Sequence, residues 1–318
     1  MFKLSWKVTI GTYQLGMIES IETIRSVELL SDTATITLPS AVYNIPFDIN
    51  DKIKRGDAVK IEFGYDDKFI TEFEGYLQQE PATDNGSLIL KCEDGLFQYR
   101  KSLDNIELKN VSVSDVLNYV NGKIGGFTLS CDYEFKYDKF VINNATGYDV
   151  LKKIQEEAKP NIYLKGNILH VHPQYSEIFG KVKYDFSKNI ETAELKYLKK
   201  EDRKVIVSIE YPGKDGKLHK IEFGDTGGER IDRKGGTGDL DSLMLQAKNE
   251  YVSRVYDGYE GTFTGWLVPY CDAGYQVKLV DEDYQDKIGN YYVLEVKTNF
   301  SKSGGVRTIK IGKKLSDG

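Results

Sequence analysis

The feature that most constrains this chain is a strand-turn-strand stretch that it carries twice. The first copy opens with Gly56-Asp57-Ala58-Val59-Lys60-Ile61, returns through Gly75-Tyr76-Leu77, turns up to Gly86, and closes with Leu88-Ile89-Leu90-Lys91-Cys92. The second opens with Gly274-Tyr275-Gln276-Val277-Lys278-Leu279, returns through Tyr291-Tyr292-Val293-Leu294-Glu295-Val296, and closes with Thr308-Ile309-Lys310-Ile311 after Gly304-Gly305. The offset is 218 residues at the first strand (Val59 to Val277), 216 at the second (Tyr76 to Tyr292) and 219 at the third (Lys91 to Lys310). Only the turns change length, as in duplicated sheets, because loops tolerate insertion and strands do not. Chance similarity between two β-meanders is the competing reading, since glycine and alternating Val, Lys and Ile are common strand vocabulary.

Around these copies the chain divides into three stretches. Residues 1–100 read as β. Trp6–Ile10 and Ile18–Glu22 alternate, Asp32–Pro39 is a β-branched strand stopped by proline, and Tyr43–Lys54 is a loop before the first meander. Six or seven short strands with turns between them predict a sandwich or small barrel. Residues 101–180 change character. Ser112–Val120 and, 34 residues on, Thr146–Ile154 have apolar positions at helical spacing behind a capping Ser or Thr, with Asp three residues later. Gly122 is expected to end the first helix, and Pro160 stops the second after Ala158. Strands are expected around Phe127–Leu129, Phe140–Val141, Ile162–Leu164 and Ile168–Val171, giving a small α/β module with two similar halves. Residues 181–318 return to β: a hairpin of Val205–Pro212 with Leu218–Phe223, a flexible glycine-rich loop from Gly224 to Gly238, a helix over Leu240–Tyr256, a strand over Glu260–Leu267, and the second meander.

At 318 residues, two or three domains are expected. Hydrophobic content of 40% with 29% charged residues describes an ordinary folded chain, and 22 tyrosines supply side chains suited to half-buried sheets and subunit contacts. A formal charge of −6 argues against a general nucleic-acid surface. Cys92, Cys131 and Cys271 are far apart and odd in number, which points to buried thiols rather than disulfides or a zinc site. No apolar run approaches the roughly 18 residues of a membrane helix, so no membrane contact is expected. The N-terminus alternates like a strand and lacks a secretory leader's apolar core.

Each candidate for chemistry has a plainer reading. His170 and His172 lie on one face of a strand, as in some metal sites, but a third ligand is not apparent and only His219 remains, so surface or half-buried polar residues are expected. The Gly224–Gly238 stretch lacks both the P-loop ending and dinucleotide spacing. Asp281-Glu282-Asp283 with Asp286 lacks the glycine and terminal glutamate of a calcium loop and reads as a solvated hairpin tip. Glu156 and Glu157 point in different directions from a helix and make a poor acid pair. No nucleophile elbow, zinc-protease motif or Cys/His pairing is present. No catalytic, cofactor-binding or metal-binding residue is assigned, and no cofactor is expected. The work is expected to be done by surfaces.

In order, the pieces resemble the phage baseplate hub family, the late-control-D-type tail proteins that also form the hub part of contractile injection spikes. The resemblance rests on Asp32–Pro39, on Gly56-Asp57 through Phe73-Glu74-Gly75-Tyr76, on Ala145–Leu151 through Ile168–Val171, and on Ala273-Gly274 through Gly289–Val293 to Ile309–Gly312. It covers nearly the whole chain, with Tyr275 standing where the family's closing domain more often has aspartate. It implies a mainly β fold with an α+β insert: two tail-tube-like β-barrel domains (1–100 and 181–318) and a small central α/β module (101–180). It further implies a homotrimer without enzymatic activity, in which six barrels dock a sixfold tail tube protein onto a threefold central spike protein. Tape-measure and baseplate wedge proteins would be further neighbours, and DNA only passing cargo. Such a protein is assembled in the bacterial cytoplasm and resides in a virion or particle baseplate. The competing functions are a tail-associated peptidoglycan hydrolase, which needs a carboxylate pair or nucleophile in a cleft, and a glycan-binding module built on residues 101–180.

Overall fold

The computed structural model describes residues 3–39, 41–42, 45–46, 52–79, 81–84, 87–213, 216–236, 239–283, 285 and 288–315. Much of the expected Tyr43–Lys54 loop, with Gly86, Gly238 and Asp286, lies outside the described residues. The first hundred residues form β1 (Leu4–Ile10), β2 (Tyr13–Gln14), β3 (Ser20–Ser26), β4 (Thr33–Pro39), β5 (Ala41–Val42), β6 (Ile45–Pro46), β7 (Ala58–Tyr65), β8 (Lys68–Leu77), β9 (Ala82–Asp84) and β10 (Ser87–Glu93). A 3-10 turn at Gly95–Arg100 leads to β11 (Ile106–Ser112), α1 (Val113–Ile124), β12 (Thr128–Cys131), β13 (Lys136–Ile142), α2 (Gly147–Ala158), β14 (Asn161–Lys165) and β15 (Ile168–His172). The remainder is β16 (Gly180–Asp185), β17 (Ile190–Leu198), β18 (Val205–Pro212), β19 (Leu218–Gly224), β20 (Glu229–Lys234), α3 (Leu240–Val252), β21 (Gly258–Trp266), β22 (Tyr275–Val280), β23 (Gly289–Ser301) and β24 (Gly304–Leu315).

The two meanders fold alike, and their sequence offsets reproduce the strand register. In the first copy Ala58 pairs with Tyr76; adding 218 and 216 gives Gln276 and Tyr292, which pair in the second. Likewise Cys92 opposite Leu77 becomes Ile311 opposite Val293. The entry turns match too. Gly56 N–H donates to the Leu77 carbonyl at 2.8 Å and Gly274 N–H to the Val293 carbonyl at 2.9 Å. Both glycines have positive φ, 91° and 79°, which a side chain would strain.

The likeness extends past the meanders. The first copy runs β3-β4-β10-β8-β7-β1 and the second β17-β21-β24-β23-β22-β16. One difference stands at the far end: β1 is antiparallel to β7, whereas β16 is parallel to β22. The copies join edge to edge, β3 antiparallel to β23, in a single sheet of 14 strands among the described residues. Pairing closes no barrel there. One core fills the first copy (Val8, Ile36, Ile61, Phe63, Leu90) and another the second (Tyr184, Phe263, Val277, Tyr291, Ile309).

Between the copies, α1 and α2 cover two small sheets, β11-β13 and β12-β15-β14. Both helices start with complete capping boxes, Ser112 with Asp115 and Thr146 with Asp149, as their sequences predict. Gly122 does not end α1 as expected: the helix runs through it to Ile124, and Gly125, with a φ of 77° that favours glycine, caps it. Two further expectations are corrected. The glycine-rich stretch contains β20, parallel to β18, because a Cβ on Gly228 would come within 2.5 Å of the Val205 backbone nitrogen and only glycine allows that approach. Helix α3 ends at Val252 rather than Tyr256. It packs with β18, β19 and β20 around Val207, Ile209, Leu243 and Ala247, forming an insert between β17 and β21. The insert docks on the central module, where Asn249 Nδ2 donates to the Tyr133 hydroxyl at 2.7 Å and Ser242 Oγ accepts from the Lys136 amide at 2.8 Å.

Candidate functional site

The seam between the copies is joined by a backbone ladder and by side chains from both of them. Seven residue pairs join β3 to β23, from Ser26 opposite Glu295 to Ser20 opposite Ser301. Behind the backbone ladder lies a buried charge cluster drawn from both copies. Glu72 of β8 accepts from Arg25 Nη2 at 2.9 Å, from Arg307 Nη2 at 2.6 Å and from Thr298 Oγ1 at 2.7 Å. Arg25 also faces Asp272 at 3.4 Å, and Lys165 Nζ, from the central module, donates to Asp272 at 2.8 Å. Both guanidiniums stack over Tyr270, whose hydroxyl accepts from Arg25. Burial alone would lower the Arg25 pKa; Asp272 and Glu72 outweigh it and hold the guanidinium well above its ordinary value. For Asp272, burial acts to raise the pKa, but Arg25 and Lys165 win and lower it. The paired charges thus lock first copy, second copy and central module together.

An open groove of about 560 Å³ runs beside this cluster, lined by Lys60, Glu74, Asp32, Asp94, Lys165 and Asp272. Asp32 is raised to about 6, chiefly by burial, and burial also raises Asp94. Both accept backbone hydrogen bonds, Asp32 from the Ser26 amide at 2.9 Å and Asp94 from the Asp32 amide at 3.0 Å. Such contacts shape turns, and the carboxyls present no nucleophile–base pair.

The copies also define two open edges. By the register above, the counterpart of β3 is β17, and the counterpart of β9 is the Lys297–Asn299 part of β23. Inside the chain these two roles meet, because β3 pairs with β23. Among the described residues β17 pairs only with β21, and β9 only with β10. Residues Glu191 to Glu194 of β17 are exposed.

The histidine expectation is corrected. His170 and His172 are buried, 8% and 5% exposed, rather than surface or half-buried. Parallel pairing of β12 with β15 places Ser130 beside His170 and brings Asp132 beside His172. His172 Nδ1 lies 2.5 Å from Asp132 Oδ1, and its Nε2 lies 3.2 Å from both Ser130 Oγ and His170 Nδ1. Tyr163 stacks on His170 and Phe179 meets its edge; burial lowers the His170 pKa. His219 stands apart on β19, stacked with Tyr211. Sequence reasoning missed Asp132 because it is 40 residues from His172 and only the pairing of β12 with β15 brings the two together.

The other candidates stay separate. Glu156 is exposed with Lys152 at 3.9 Å, while burial raises Glu157 on another side of α2. Asp281 caps the tip between β22 and β23 by accepting from the Asp283 amide at 3.0 Å. All three cysteines are free thiols, with Cys131 half-buried and the other two buried. No helix among the described residues is long and apolar enough to cross a membrane.

No protein-family profile and no curated protein matches the chain. Solved structures do. A tail protein from Neisseria meningitidis MC58 is 15% identical with a TM-score of 0.68, over 98% of this chain and 97% of that one. The 43 kDa tail protein of prophage MuSo2 from Shewanella oneidensis is 13% identical with a TM-score of 0.67, covering 98% of each chain. An E. coli component of the type VI secretion system, described as similar to the T4 phage tail proteins gp27 and gp5, is 9% identical with a TM-score of 0.57, over 99% of this chain and 77% of that one. The chain therefore has the fold shared by phage tail proteins and a type VI secretion component.

Proposed function

We propose that this protein is the hub subunit of a phage tail or related contractile particle. Three chains form a ring that adapts a sixfold tube protein to a threefold central spike protein. The observation that carries the reading is the seam: the β3–β23 joint already couples two like units, and the chain offers the same two roles again as open edges, β17 and β9. Pairing β17 of one chain with β9 of the next repeats the internal joint head to tail, and three such chains give six quasi-equivalent units. In this reading residues 1–100 and 181–318 are the two tube-like barrel units, completed by assembly, and residues 101–180 are the module between them. The ring works without catalysis and lets DNA pass; tape-measure and wedge proteins are its outer neighbours. The tail-protein fold supports this over a hydrolase, and the buried carboxyls of the groove are spent on turns and ion pairs.

Light scattering of the purified protein, with and without its spike partner, tests the ring. A particle three times the 36.1 kDa chain mass is expected. Proline at Ala193 or Glu194, whichever directs its N–H away from β21, should abolish that particle and leave the circular dichroism unchanged. A wild-type monomer under both conditions contradicts the proposal.

A further inference from the structure

The group around His172 has the make-up of a metal site. One ligand atom from each of Asp132, His172 and Glu177 lies within 4.8 Å of the other two. Ligands of one transition ion at about 2.1 Å stand roughly 3–4 Å apart, so modest side-chain rotation closes the set. The imidazole is fixed from behind: Nδ1 faces Asp132, while Nε2 has Ser130 Oγ and His170 Nδ1 at 3.2 Å. This matches the arrangement in which a ligating histidine donates its remaining N–H to an outer partner that sets its tautomer and orientation. Burial of His172 against exposed Asp132 and half-exposed Glu177 leaves one side open for entry and for water ligands.

We infer that Asp132, His172 and Glu177 bind a divalent first-row transition ion. His172 would coordinate through Nδ1, with its proton on Nε2 donated to Ser130 or His170. One imidazole with two carboxylates favours Zn²⁺, Co²⁺ or Mn²⁺ over Ca²⁺ and Mg²⁺, which prefer all-oxygen shells. The consequence is structural. Asp132 directly follows β12, whereas Glu177 belongs to the connector between β15 and β16, where Tyr175 packs on Tyr292 and the Phe179 amide donates to the Gly274 carbonyl at 3.0 Å. The ion would tie the central module to the segment entering the second copy.

Titration of the full chain, tag removed, with Zn²⁺ by calorimetry and with Co²⁺ by visible absorption tests this independently of any ring. One ion per chain is expected, with a melting temperature that rises on Zn²⁺ addition. Asp132→Asn and Glu177→Gln lie at the accessible side and should fold; each should weaken binding by about tenfold or more and remove the melting shift. Glu156→Gln should change neither. Absence of saturable 1:1 binding below about 100 µM, or equal binding by the wild type and the Asp132→Asn/Glu177→Gln double variant, overturns the inference. The Asp132–His172 contact is then an ordinary hydrogen bond.

Discussion

At the scale of single residues, the charges at the seam carry the largest stakes. Glu72 is 1% exposed and answers two guanidiniums. Glu72→Ala takes the carboxylate from buried Arg307 and leaves Arg25 with Asp272, and should cost roughly 3–5 kcal/mol in a denaturant melt. A loss below about 1 kcal/mol would show that the cluster is dispensable. Nothing local announces it, since Glu72 and Arg307 are 235 residues apart in sequence. Asp32 has the opposite character. Burial raises it to about 6 from an ordinary value near 4. The native chain therefore holds the proton more tightly, and this group's contribution to stability is full below about pH 4 and lost as pH rises through about 6. Asp32→Asn keeps an acceptor for the Ser26 amide and should stabilise the protein by about 1–2 kcal/mol at pH 7.5, with the gain gone by pH 4. Equal effects in melts at the two pH values would contradict that account. For His170 and His172, the sequence shows that they share a strand face; their burial and their carboxylate neighbours depend on pairing between strands 40 residues apart.

At the scale of elements, local chemistry is largely legible. Ser112 with Asp115 and Thr146 with Asp149 predict both helix starts, because a capping box needs only residues three apart. Thr146→Ala should cost about 1 kcal/mol in thermal melts and Thr146→Gly only a few tenths; equal costs would remove the cap from the explanation. Helix ends are less legible: Gly122 and Gly125 look alike in sequence, and only the backbone turn at Gly125 distinguishes them. Strand β20 is hidden because glycines at Gly227, Gly228, Gly235 and Gly236 read as a loop. Its parallel partner β18 lies more than 20 residues away and supplies the pairing that composition cannot show. The insert of β18, β19, β20 and α3 is likewise invisible as a unit, since its hairpin alternates like any strand of the surrounding sheet.

At the scale of the whole molecule, the duplication is legible down to register, because turn lengths can change without moving a strand's pairing. The joint between copies is not: Thr23 of β3 meets Thr298 of β23 across nearly the whole chain, and no periodicity in either strand specifies a distant edge. In the proposed ring that joint is the assembly device, since among the described residues its two halves recur at β17 and β9, each paired on one side. Electron-microscope views down the axis of the particle assembled with its spike partner test this most directly. A threefold ring of six similar lobes is expected, with β17 of each chain against β9 of the next. Lobes without threefold symmetry, or β17 edges meeting each other, would contradict it.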